Sequence, residues 1–168
     1  MTEQSRVLVA VPVTHDNLWA LEWDGRMPHA QVLGFAPNAE LTATFGVEPG
    51  EEAEAAALQM ADVAGLTAGR VERLVVVAEV PASRLSASPG EAANGAVVVD
   101  HLVKGDCQAF FTGDCDAQTA QAARGLSLDD AWELPGIQKM LASQPLAWHD
   151  VSELAEWLGD PVAGSAVN

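Results

Sequence analysis

Val71-Glu72-Arg73-Leu74-Val75-Val76-Val77-Ala78-Glu79-Val80 is the stretch on which the fold turns, and Pro81 stops it. Leu74 to Ala78 are five consecutive apolar residues, three of them β-branched. A strand whose two faces are both covered reads this way, because neither face meets water and the alternation disappears. The stretch is therefore predicted to be the central strand of one sheet. The segment before it, Glu51 to Leu66, is the strongest helix pattern in the chain. Glu51, Glu52 and Glu54 stand in its first turn, where the helix dipole favours negative charge, and Ala53, Ala57, Met60, Ala61 and Ala64 make a small-residue face. The core is expected to be this helix laid closely on this strand.

Working outward, Arg6 to Val13 reads as a first strand beside the central one, with Val7, Val9, Val11 and Val13 on one face. Thr14 is placed to cap a helix from His15 to about Asp24, which Gly25 ends. Gln31 to Ala36 reads as a second strand, and Asn38 as the cap of a short helix to Phe45. Pro81 to Gly95 has no usable periodicity and reads as a surface loop or an edge crossover. Gly95 to His101 and Cys107 to Thr112 read as a hairpin or a closely joined strand pair turning at Lys104-Gly105-Asp106, the second run a candidate edge strand with Cys107, Ala109 and Phe111 on one face. Short helices follow over Asp114 to Arg124, from Ser127 to the break at Pro135-Gly136, and over Ile137 to Leu141. A last one, Ser152 to Leu158, is expected to pack Leu154, Trp157 and Leu158 inward. The fold class is α+β, one domain over residues 1–158 with a mixed β-sheet and helices packed on it, and residues 159–168 read as a frayed tail.

Composition bounds the function. The chain has 168 residues, 49% hydrophobic and 19% charged, which suits one globular domain with a radius of gyration of about 15 Å. Twenty-four acidic against 8 basic side chains leave a formal charge of −16, which repels phosphate backbones and anionic lipid surfaces, so no nucleic acid and no membrane is expected as a direct partner. No apolar run approaches the roughly 20 residues a bilayer requires, and Met1 to Arg6 lacks the pattern of a secretion signal. The expected compartment is the cytoplasm.

Catalytic signatures are absent from the sequence. His15, His29, His101 and His149 lie far apart and pair with no Cys, His or carboxylate at metal-ligand spacing. Cys107 and Cys115 form no Cys-x-x-Cys pair and are expected as free thiols, Cys115 with a chance of a lowered pKa at a helix start. Neither a phosphate-binding glycine loop nor a nucleophile elbow occurs, and Asp114, Asp116, Asp129 and Asp130 read as caps and dipole partners. No metal and no cofactor is expected. The candidate ligand-binding residues are Thr14, His15 and Asp16, because open α/β sheets place ligands where a core strand runs into a helix N-terminus.

Five Trp and no Tyr concentrate the large aromatic surface at Trp19, Trp23, Trp132, Trp148 and Trp157. Core is the commoner fate of each; Trp19 and Trp23, four apart on one helix, are the interface candidates. Val-Ala-Val-Pro-Val-Thr at 9 to 14, Gly-Phe-Ala-Pro-Asn-Ala-Glu-Leu at 34 to 41, the acidic Ala-rich helix at 51 to 64, Arg-Leu-Val-Val-Val-Ala-Glu-Val at 73 to 80 and the strand leading into Asp114-Cys115-Asp116 together resemble a family of small, acidic, uncharacterised actinobacterial proteins. The resemblance spans roughly residues 6 to 158. It implies a habitat and a shape and assigns no activity or site residue. The expectation is then a non-catalytic interaction module that self-associates as a homodimer, with a small-ligand binder or enzyme centred on His15 and Asp16 as the alternative.

Overall fold

The structure is a computed structural model that describes residues 5–159. Seven strands form one sheet: β1 (Arg6–Pro12), β2 (Gln31–Phe35), β3 (Glu72–Pro81), β4 (Leu85–Ala87), β5 (Ala96–Asp100), β6 (Cys107–Asp114) and β7 (Ala147–Asp150). Their order is β4-β5-β2-β1-β3-β6-β7. Every pairing is antiparallel, so the α+β class holds while the expected mixed sheet does not. The expected tail, 159–168, lies outside the described residues from position 160 on.

Both faces of β3 are covered, as its unbroken apolar run requires. Helices α2 (Ala39–Phe45), α3 (Glu51–Thr67), α4 (Ala117–Ala123), α5 (Leu128–Trp132) and α6 (Pro135–Ser143) lie on one side of the sheet. There Val75, Ala10, Phe35 and Ala96 meet Ala57, Met60, Ala61 and Ala64 of α3 and Leu128, Ile137 and Met140 beyond it. On the other side α1 (His15–Trp23) and α7 (Leu154–Leu158) cover Val9, Val11, Leu74, Val76, Ala78 and Phe110 with Leu18, Leu21 and Leu154. β3 lies between β1 and β6, one strand from the middle of the sheet. Its pairing with β1 runs unbroken from Arg6 opposite Pro81 to Pro12 opposite Val75.

The helix ends follow local chemistry. Thr14 Oγ1 accepts the N–H of Asn17 at 3.1 Å while Asn17 Oδ1 accepts that of Thr14 at 3.0 Å, a reciprocal capping box. Asn38, Asp116 and Ser127 cap α2, α4 and α5 one way, each side chain accepting the N–H three residues on. Pro135 opens α6 at its first turn, where a missing N–H costs nothing, and the helix runs on to Ser143.

Four sequence expectations are corrected. β5 and β6 do not pair; β2, β1 and β3 separate them. Lys104–Asp106 forms a single 3-10 turn whose Lys104 N–H donates to Gly25 O at 2.9 Å, which ties the connection to the end of α1 and carries the chain across the sheet instead of folding it back. β6 is accordingly interior, and the edge belongs to β7, too short to show a period. The unperiodic segment after Pro81 holds the other edge, β4. Within β6 the register shifts: Ala109 faces Val77 and Cys107 faces Ala78, leaving Gln108 unopposed. This bulge resets the alternation, so that Cys107 and Phe110 share the α1 side of the sheet.

Val76 is 2% exposed, between Val11 and Phe110 of the neighbouring strands. A carboxylate there has no partner, and its desolvation costs several kcal/mol against a total stability of about 5 to 15. Val76→Asp is expected to prevent folding. Soluble Val76→Asp protein with a cooperative thermal transition contradicts the placement of β3 inside a doubly covered sheet.

Candidate functional site

The two candidate clusters of the sequence both lie on α1 and point differently from its core face. Leu18 and Leu21 are at most 1% exposed against the sheet. Trp19 and Trp23 occupy the opposite side of the helix, Trp19 half-buried and Trp23 41% exposed, with ring centroids 5.8 Å apart in an edge-to-face arrangement. Neither indole belongs to a core cluster. His15 is exposed and rests on Trp157, ring centroids 5.7 Å apart, and Trp157 meets buried Phe110 edge-on at 5.6 Å. An aromatic file therefore runs from the core out to the flank of α1.

None of five recesses among the described residues has Thr14, His15 or Asp16 in its lining. The Thr14 hydroxyl is occupied by the cap, and Asp16 is exposed in the first turn, where it complements the helix dipole. A depression of about 760 Å³ lies between residues 24–30 and 101–103 and has His29 and His101 in its lining. Among the described residues no group of three His, Cys, Asp or Glu is arranged to hold a metal ion.

None of the five tryptophans is fully buried; Trp157, expected inside, is 36% exposed and Trp148 on β7 is 60% exposed. On the α3 side the core is filled by alanines and aliphatic side chains together with Phe35, and Trp132 packs against it only partly buried. Trp148 stands opposite Phe111 and walls a shallow groove of about 410 Å³ beside Leu58 of α3.

Chemistry of another kind sits inside the fold. Asp62 on α3 and Arg73 on β3 form an ion pair with side chains 2% and 1% exposed. Arg73 Nη2 donates to Asp62 Oδ2 at 2.8 Å and Nε to Oδ1 at 3.0 Å, while Nη1 donates to the carbonyls of Gln144 at 2.8 Å and Asp114 at 3.2 Å. Burial raises the Asp62 pKa above its ordinary value, outweighing the lowering effect of the guanidinium. The sequence reading did not single out this pair. Its signal was present as a charge inside two otherwise apolar patterns, Asp62 between Ala61 and Val63 and Arg73 just before Leu74, since such residues are almost never fully buried unless paired. The pair is buried, and a recess of about 150 Å³ beside it has Asp62, Arg73, Leu58 and Leu146 in its lining.

Both cysteines are free thiols. Cys107 packs on the α1 side of the sheet and Cys115 on the α3 side, so the sheet keeps them apart. Burial pushes the Cys107 pKa up to about 12, with Asp106 adding to the effect. Cys115 is also raised, by burial first and by Asp116 second, against the expectation of a lowered value at the start of a helix. The capping carboxylate that starts α4 is the charge that opposes the thiolate.

Fold and site together define a helix-covered antiparallel α+β domain with a buried Asp62–Arg73 ion pair inside and several tryptophans exposed outside. The chain belongs to a family of unknown function, DUF6912, which it matches over residues 7–158. No curated protein and no solved structure matches it. None of its described helices is long and apolar enough to cross a membrane.

Native protein at pH 8 is expected to leave Cys107 unmodified by a thiol reagent while half-buried Cys115 reacts slowly, and denatured, unreduced protein to titrate two thiols. Equal native reactivity at both positions, or no free thiol after denaturation, contradicts this arrangement.

Proposed function

We propose that this chain is a non-catalytic, cytoplasmic interaction module that self-associates as a two-fold homodimer through the outer face of α1. The observation that carries the reading is the Trp19 and Trp23 pair, which belongs to neither hydrophobic core cluster and leaves Trp23 41% exposed. Tryptophan is the residue most enriched among the anchors of protein interfaces, and two-fold symmetry is the commonest way for one patch to cover itself. Exposed Asp16 and Asp24 bracket the pair along the chain, so a dry aromatic centre would have an acidic, hydrated rim. The ligand-binding alternative at Thr14, His15 and Asp16 has less to support it, since the three residues line no common recess and the Thr14 hydroxyl is already engaged.

Light scattering at micromolar concentration tests the proposal. The wild type is expected to dimerise, and more strongly as salt rises, because screening relieves repulsion between two chains of charge −16. Trp19→Ala with Trp23→Ala is expected to be monomeric and still folded, both side chains lying outside the core. A wild type that is monomeric at every accessible concentration overturns the proposal, and so does a dimer that survives the double change.

A further inference from the structure

Where β1 ends at Pro12, the C-terminus of α3 and the segment after α1 enclose a recess of about 190 Å³, apart from the outer face of α1. Its polar lining is Asn17, His29, Gln31 and Arg70; Met27 and Ala64 are among its apolar walls. Although the chain carries 24 carboxylate side chains, no residue described as lining this recess is acidic.

Arg70 Nη1 is shielded from solvent and has no hydrogen-bond partner among the described residues. An arginine just past a helix commonly satisfies the terminal carbonyls. Here those carbonyls already have donors: Ala64 O takes the N–H of Ala68 at 3.1 Å, Gly65 O that of Arg70 itself at 3.1 Å, Leu66 O that of Gly69 at 3.0 Å and Thr67 O that of Gly125 at 2.8 Å. Nη1 is left over, and no salt bridge among the described residues includes Arg70. Burial also lowers its pKa, as befits a cation short of a counter-charge. Beside it, Asn17 Oδ1 is held by the cap at 3.0 Å, which leaves the Asn17 Nδ2 donor unused, and Gln31 gives its Nε2 to Asp100 at 3.0 Å.

We infer that this recess binds a small monocarboxylate, its two oxygens accepting from Arg70 and Asn17 and its short alkyl end lying against Met27 and Ala64. The ligand is a monoanion because one guanidinium and neutral amides balance one charge; a phosphate dianion would bring a second charge, uncompensated, into a strongly acidic protein. It is short because the recess holds the volume of about six waters. Arginine presents the planar fork that carboxylates fit, and a buried donor left without a partner is costly enough to favour a ligand that supplies one.

The experiment is a titration of the full-length ¹⁵N-labelled chain with acetate, propionate and butyrate at constant ionic strength, chloride replacing each anion in the control, with butyramide and inorganic phosphate as separate arms. Saturable shifts are expected at the backbone amides of Asn17, Ala68 and Arg70, with butyramide about tenfold or more weaker than butyrate and phosphate not competing. Arg70→Gln is expected to weaken carboxylate binding by about tenfold or more while the thermal transition stays cooperative. Absence of saturation with every carboxylate, equal binding of butyramide, preferential binding of phosphate, or undiminished binding by Arg70→Gln each overturns the inference. Should Arg70→Gln fail to fold, the comparison of butyrate with butyramide on the wild type decides the matter.

Discussion

One guanidinium joins four parts of this fold: β3, α3, the end of β6 and the link before β7. Arg73 stands at the start of β3 and gives Nε and Nη2 to Asp62 of α3, and Nη1 to the last residue of β6 and to the link between α6 and β7. Removing two charges from water costs several kcal/mol per ion, and only good geometry with the remaining donors satisfied offsets it. The backbone makes room for that geometry. A Cβ on Gly113 would stand 3.2 Å from Arg73 Nη1 and 2.9 Å from the Leu146 side chain, so glycine at this point of β6 lets the guanidinium pass to the Gln144 carbonyl. The pair thus sets where α3 lies along the sheet and brings the C-terminal segment back to form the β7 edge.

On the α3 side the core is built largely of small and aliphatic side chains. Ala53, Ala57, Ala61 and Ala64 of α3 cluster with Val75 and Ala10 of the sheet, and Phe35, Leu41, Met60, Ile137 and Met140 complete the same cluster. None of the five indoles is fully buried on either face of the sheet: Trp23, Trp148 and Trp157 are exposed, Trp19 and Trp132 partly so. Aromatic surface left outside the core in this way is material for an interaction surface.

Where a feature is local, the sequence carried it. The run Leu74 to Ala78, the alanine face of α3 and the Thr14, Asn38 and Ser127 caps all follow from period, cap chemistry and burial within a few residues, and the doubly apolar first strand was placed beside β3 on the same ground. Long-range pairing was less legible. Lys104-Gly105-Asp106 has the composition of a hairpin turn, and only the bonds from Lys104 to Gly25 and from Met27 to Leu102 reveal that it crosses the sheet. The Gln108 bulge inverts the phase of β6 without any marker residue, and β7 is four residues with no alternation to read. In the interior the missed residues, Asp62 and Arg73, lie 11 positions apart on different elements, so their meeting depends on how α3 docks. Arg70 is plainer still: its isolation is a property of carbonyls already satisfied by other backbone donors, which no residue type announces.

A double-mutant cycle on the buried pair, measured by denaturant unfolding of the wild type, Asp62→Asn, Arg73→Gln and the double variant, tests the organising role of this interaction most directly. Each single change strands a buried charge and is predicted to cost about 3 to 5 kcal/mol, with the double variant recovering more than about 1 kcal/mol relative to the sum. Single changes that each cost less than about 0.5 kcal/mol, or costs that simply add, would contradict the account.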